Sequence, residues 1–255
     1  MRKFDNLSFD DFIYKDQKLS DFGGYVGSAD GGLKTYPLLP TREYVTDRPL
    51  GSDVTTVYAS NFSPRVFEVP LVFEELHDGI IRELAYWLDS PTPNKFQWVG
   101  DDVYINACLD SNDFNVASSS GFDGQIVLKF ICHDPFYYDV NPTQYTLTSL
   151  TSGTAYTYTN LGYGDLEPQI TIACNGAVKI EVLDGNGKIY TTTNITDITG
   201  GVNIDSKTME CTLLSGASHF HKIDHFPYLP HGQFSIKVTG DALTNMAITY
   251  KQKYI

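Results

Sequence analysis

No run of about 18 consecutive apolar residues occurs in the 255-residue chain, so no membrane-spanning helix is expected. The opening "MRKFDNLSFDDF" has two early positive charges but no apolar stretch after them, and no secretory signal is expected. Cationic charge is scarce: 18 Lys+Arg stand against 31 Asp+Glu, a net of −13. That balance argues against a stable grip on nucleic acid, which needs clustered Lys and Arg. It argues equally against an anionic membrane surface. The four cysteines, Cys108, Cys132, Cys174 and Cys211, form no Cys-x-x-Cys pair, which excludes a zinc ribbon. Without a secretory signal they are expected to be buried free thiols of a protein made in a reducing cytosol.

The motifs of catalysis are missing too. There is no Gly-x-Ser-x-Gly elbow, no His-Glu-x-x-His and no Walker loop. "DGNGK" begins like a calcium loop but lacks the closing Glu, and reads as a tight hairpin turn. The acidic pairs Asp10-Asp11, Glu74-Glu75 and Asp101-Asp102 are adjacent in sequence. On a strand, neighbours point to opposite faces, so they cannot flank a scissile bond as glycosidase carboxylates do. No catalytic residue, cofactor or metal is expected, and the chain reads as a non-enzyme.

What is abundant is β-forming: 17 Tyr and 15 Phe among 255 residues, with many threonines. Helical spacing is clear in one segment, "DGIIRELAYWLDSP", about 78–89. With Leu76 just ahead of it, Ile80, Leu84, Trp87 and Leu88 form one apolar stripe. Asp78 is placed to cap it, and Ser90-Pro91 to stop it. "RVFEVPLVFEEL", "DDVYINACLD" and "GQIVLKFICHDPF" read as strands, with Phe67 and Val69 on the face opposite Val66 and Glu68. From Asn141 onward the chain alternates strands with turns, as in "PQITIACNGAVKIEVLDGNGKIYTTT".

Charge divides the chain. Residues 1–142 hold 11 Lys+Arg against 22 Asp+Glu, a net of −11, and the remainder holds 7 against 9, a net of −2. The expected organisation is mainly β in two domains. Residues 1–140 form a β-sheet domain with one helix, and 141–255 an all-β sandwich. Residues 22–62 are rich in Gly, Tyr, Thr and Asp with little apolar mass. They read as a long surface loop or as an extended hairpin that reaches a neighbouring subunit.

Four of the six histidines fall in "SHFHKIDHFPYLPHG", residues 218–232: His219, His221, His225 and His231. His219 and His221 could share one strand face as metal ligands. The two prolines that follow break any regular geometry toward His225 and His231.

The same stretch carries a resemblance. "FPYLPHGQFSIKVTG…AITYKQKYI" resembles the closing segment of siphophage distal tail proteins (Dit), through Phe226, Pro227, Leu229, Pro230 and Gly232. Phe234 stands where that family often has Asn. "NLGYGDLEPQITI" is similar through Asn160, Gly162 and Pro168, and "GQIVLKFICHDPFYYD" through Phe130, Cys132, Asp134 and Pro135. The motifs keep the family's order over nearly the whole chain, in its short form. The resemblance implies a structural hub: a ring, typically of six copies, between the tail tube protein and a tail-tip (tail-associated lysin-like) protein, with DNA passing through. It implies a location at the distal end of the virion tail, after assembly in the host cytoplasm. The first domain would make the ring through a belt-like hairpin, with Tyr36, Arg42, Tyr44, Arg48 and Tyr58 as interface candidates. The second would be a galectin-like sandwich. The Phe226–Gly232 stretch would be a rigid turn with Phe226 and Leu229 as plugs. The alternative is a carbohydrate-binding module for host cell-wall saccharide.

Overall fold

A computed structural model describes residues 10–27, 40–48, 50, 53–110, 115–118 and 124–255. The chain divides into two compact units, one running up to Tyr137 and including Ile255, the other Tyr138–Tyr254.

The first unit contains strands β1 (Phe12–Tyr14), β2 (Gln17–Lys18), β3 (Gly24–Val26), β4 (Arg42–Asp47), β5 (Thr56–Phe62) and β6 (Arg65–Phe73). Helix α1 (Asp78–Leu88) follows, then β7 (Asn94–Trp98), β8 (Val103–Leu109), β9 (Asn115–Ser118) and β10 (Gly124–Cys132). A short β11 (Tyr137–Asp139) lies at the boundary. The main sheet runs β2-β1-β7-β8-β10-β6-β3, with β9 also paired to β10. Strands β6 and β10 run antiparallel from Gly124↔Phe73 to Cys132↔Arg65. Both bury alternate residues, as the two-residue repeat of a strand requires: Phe67, Val69, Leu71 and Phe73 face the core, while Val66 and Glu68 face out.

Helix α1 lies on that core through Leu84, Trp87 and Leu88. Trp87 stacks on Phe22 at 4.7 Å and on Phe12 at 5.6 Å, and its Nε1 donates to the Tyr14 carbonyl at 2.7 Å. The cap is not the expected Asp78. His77 occupies that place, its Nδ1 accepting from the backbone N–H of Gly79 and Ile80 at 3.1 and 3.4 Å. Asp78 is instead the first helical residue, where its charge complements the helix dipole.

The second unit contains β12 (Thr143–Leu147), β13 (Ala155–Asn160), β14 (Gln169–Ala173), β15 (Gly176–Leu183) and β16 (Ile189–Ile198). It continues with β17 (Val202–Asp205), β18 (Glu210–Leu213), β19 (Gly232–Gly240), β20 (Asn245–Tyr250) and β21 (Lys253–Tyr254). A five-stranded sheet, β12-β20-β14-β17-β18, faces a four-stranded one, β13-β19-β15-β16. Ile170, Ile172, Ile204 and Ile248 of the first share one buried cluster with Ile180, Val182, Phe234 and Ile236 of the second, which makes a β-sandwich. "DGNGK" is the β15–β16 turn: Asp184 Oδ1 accepts from the N–H groups of Asn186 and Lys188, both at 2.9 Å.

One expected boundary shifts. The first residues of the arm expected over 22–62 belong to the core. Phe22 stacks on Trp87, and β3 pairs with β6 from Gly24↔Phe73 to Val26↔Leu71. A Cβ on Gly24 would sit 2.5 Å from the Phe73 ring. Glycine there serves close packing of the strand, not a flexible loop.

Candidate interaction surface

Strands β4 and β5 pair only with each other, and no third strand among the described residues joins them. Their register runs Arg42↔Phe62, Glu43↔Asn61, Tyr44↔Ser60 and Val45↔Ala59, then slips by one residue to Thr46↔Val57. The slip is a bulge at Tyr58, which increases the local twist. Arg42, Tyr44, Ser60 and Phe62 therefore share one face, and Glu43, Val45, Ala59 and Asn61 the other. Neither face is covered: every residue of the hairpin is exposed except the half-buried Phe62. Tyr44, Val45, Val57 and Tyr58 are 53–66% exposed. An isolated two-stranded ribbon is marginal in water.

The hairpin is held at its root. Ser63 N donates to the Thr41 carbonyl at 2.9 Å, and Ser63 Oγ to Glu43 Oε1 at 3.0 Å. The Arg42 guanidinium lies 4.2 Å over the Phe62 ring and donates to Ser60 Oγ at 3.2 Å. Phe62 meets Phe136 edge-on at 5.3 Å. Toward the tip, Arg48 pairs with Asp53 at 3.5 Å, both well exposed. Of the five interface candidates, Arg42, Tyr44 and Tyr58 lie on the paired strands and Arg48 just beyond them. Tyr36 lies outside the described residues.

In the second unit, the proline-rich turn closes a polar knot. Leu229 is fully buried and exchanges two backbone hydrogen bonds with Leu166. Asn160 Nδ2 donates to the carbonyls of Gly164 and Pro230 at 2.9 and 3.2 Å. Gly162 N donates to Asn160 Oδ1 and to Gln252 Oε1. A Cβ on Gly162 would come within 2.7 Å of the Lys253 carbonyl. The segments "NLGYG" and "FPYLPHG" are thus two halves of one structure. Sequence reasoning missed Gln252, whose only signal is its place just before the last strand. Phe226 is half-buried: it packs against the sandwich core from its margin and stacks at 6.0 Å on the exposed Phe220, so it fills less of the core than Leu229.

The histidines serve separate local ends. Buried His219 donates from Nε2 to the Thr196 carbonyl at 2.7 Å. His231 Nδ1 donates to the Gly162 carbonyl at 2.6 Å. His225 is exposed beside Asp224, and His221 sits on the single 3-10 turn Phe220–Lys222, not on a strand. Among the described residues, no three His, Cys, Asp or Glu side chains are grouped to hold a metal. Burial pushes the Cys132 thiol up to about 12, and those of Cys174 and Cys211 to about 11.

A family model described as the phage tail protein N-terminal domain matches residues 7–134, half of the chain. The chain belongs to this phage tail protein family. Among solved structures it is similar to the Dit protein of phage SPP1, described as a paradigm of the hub adsorption apparatus in Gram-positive-infecting phages. That likeness has a TM-score of 0.74 at 16% identity, over 97% of this chain and 100% of that one. It is also similar to a chain of the phage p2 baseplate in its activated conformation with strontium, with a TM-score of 0.52 at 11% identity over 96% and 98%. The calcium form gives 0.51 at 10% over 95% and 97%. No curated protein matches the sequence. The phage tail protein thus carries the Dit fold along its whole length, as the motif order implied.

Proposed function

We propose that this phage tail protein is the structural hub of a tail tip or baseplate. Copies close into a ring, six in number, through the β4–β5 hairpin. The ring joins the tail tube protein to a tail-tip protein at the distal end of the virion tail, and DNA passes through it. The observation that carries the reading is the uncovered hairpin. The ribbon has Tyr44, Val45, Val57 and Tyr58 in solvent, and no other strand among the described residues pairs with its edges. A neighbouring copy supplies that partner in a head-to-tail contact, and such a contact gives a ring when its rotation closes. In this reading the second unit is a galectin-like sandwich.

Electron microscopy of the purified protein tests this. Class averages should show closed rings with six-fold symmetry. A strict monomer at high micromolar concentration would count against the hub.

A further inference from the structure

A cleft of about 750 Å³ lies in the first unit, between the exposed side of α1 and the β1–β2 turn. Its volume falls within the range of small-molecule sites, about 300–1,000 Å³. Phe22 and Trp87 lie at its bottom, the first half-buried and the second buried, with their rings stacked at 4.7 Å. Tyr86 stands at its rim, 89% exposed, the most exposed aromatic ring among the described residues. The two sides of the cleft are tied together. Lys15 and Asp16 take left-handed φ values of 49° and 61° and join β1 to β2 in a tight two-residue turn. From that turn the Lys15 ammonium donates to the carbonyl of Asp89, the residue that ends α1.

The lining discriminates among ligands. Two cations, Lys15 and Arg82, stand against two anions, Glu83 and Asp89, so the cleft has no net formal charge. A nucleotide or an anionic polymer needs an excess of cations, which is absent. A cationic ligand would need an excess of acid, which is absent too. A purely hydrocarbon ligand is also a poor match, because it would strip water from these charged groups without replacing their hydrogen bonds. Among the described residues, the side chains of Gln17, Arg82 and Glu83 make no hydrogen bond or ion pair of their own. They offer a planar amide, a guanidinium and a carboxylate, whose donors and acceptors come in pairs. Neighbouring hydroxyls on a sugar match such pairs, and the C–H face of a sugar ring matches an exposed aromatic face. We propose that this cleft binds a neutral oligosaccharide, stacked on Tyr86 and held through its hydroxyls by Gln17, Arg82 and Glu83. All of these groups belong to one chain, so the site does not depend on the ring.

Calorimetric titration of the full-length protein tests the proposal. The probes are short uncharged oligosaccharides of glucose, galactose or N-acetylglucosamine, with polyglycerol phosphate as the anionic control, each at low and high salt. At least one neutral probe should bind, with an affinity indifferent to salt. Tyr86→Ala and Glu83→Gln should each weaken that binding by about tenfold or more. Both positions are exposed, so the variants should unfold at the parent's temperature, which separates loss of the site from loss of the fold. Neutral-probe binding that survives both substitutions would put the sugar elsewhere on the chain and overturn the site. Tighter binding of polyglycerol phosphate, lost at high salt, would overturn the neutral ligand. A parent that binds none of the neutral probes would overturn the proposal and leave the hub reading untouched.

Discussion

Leu229, Phe226 and His225 are close in sequence and differ in weight. Leu229 is fully buried and anchors the turn, so Leu229→Ala should cost about 2–5 kcal/mol. The Phe226 ring is half in solvent, and Phe226→Ala should cost about 1–1.5 kcal/mol. His225→Ala, at an exposed position, should cost well under about 1 kcal/mol. Urea unfolding of the three variants checks the order, and a Phe226 loss equal to that of Leu229 would show that its ring is a core member after all. The thiols give a second prediction at this scale. Cys132, Cys174 and Cys211 are buried with their thiolates disfavoured, while Cys108 is partly exposed. An aromatic disulfide reagent near neutral pH should label at most Cys108 in the folded protein and all four thiols after denaturation. Rapid labelling of a second thiol would contradict the described burial.

Among the elements, α1 was legible in the sequence because Ile80, Leu84, Trp87 and Leu88 repeat at helical spacing and proline closes it. Strands β6 and β10 were legible because alternation marks a half-buried strand. β3 was not: "FGGYVG" holds three glycines and no alternation long enough to count. Its membership of the sheet depends on pairing with β6 and on Phe73 packing against Gly24, contacts between residues distant in sequence. The polar knot was half legible. Its Asn, Gly and Pro residues could be picked out by their resemblance to a known pattern. Their mutual bonding, and the part of Gln252, come only from the fold. On β15, Glu181 shows a tertiary arrangement of the same kind. Its carboxylate lies between the ammonium groups of Lys179 at 2.6 Å and Lys237 at 3.1 Å. Hydrogen bonds from Lys179 first, then Lys237, hold its pKa below the usual 4.5. A carboxylate depressed on folding contributes stability above its unfolded pKa and loses it as pH falls through the lower folded value. Glu181→Gln should therefore be less stable than the parent at neutral pH and lose less on acidification from about pH 5 to about pH 3. Both lysines are partly exposed, so added salt should shrink the difference. Parallel acid limbs for the two proteins would remove Glu181 from the account.

For the whole molecule, the proposed ring accounts for two properties: a β4–β5 hairpin that no other described strand joins and a net charge of −11 in residues 1–142. In the proposed ring, negative walls would let DNA pass without the counterion release that makes cationic surfaces sticky. In a map of the assembled ring, Asp and Glu should outnumber Lys and Arg along the channel, and a net basic channel would contradict DNA passage. The hairpin itself offers the more direct test. Thr41 and Ser63 are already hydrogen-bonded at its root, so Arg42–Phe62 can be replaced by a short glycine linker without disturbing β3 or β6. Size exclusion with multi-angle light scattering then compares the parent with the excised chain. The parent should elute with the mass of a closed oligomer of six, and the excised chain as a folded monomer of unchanged circular dichroism in the near ultraviolet. An excised chain that still assembles to the parent's mass would contradict the hairpin as the element that builds the hub.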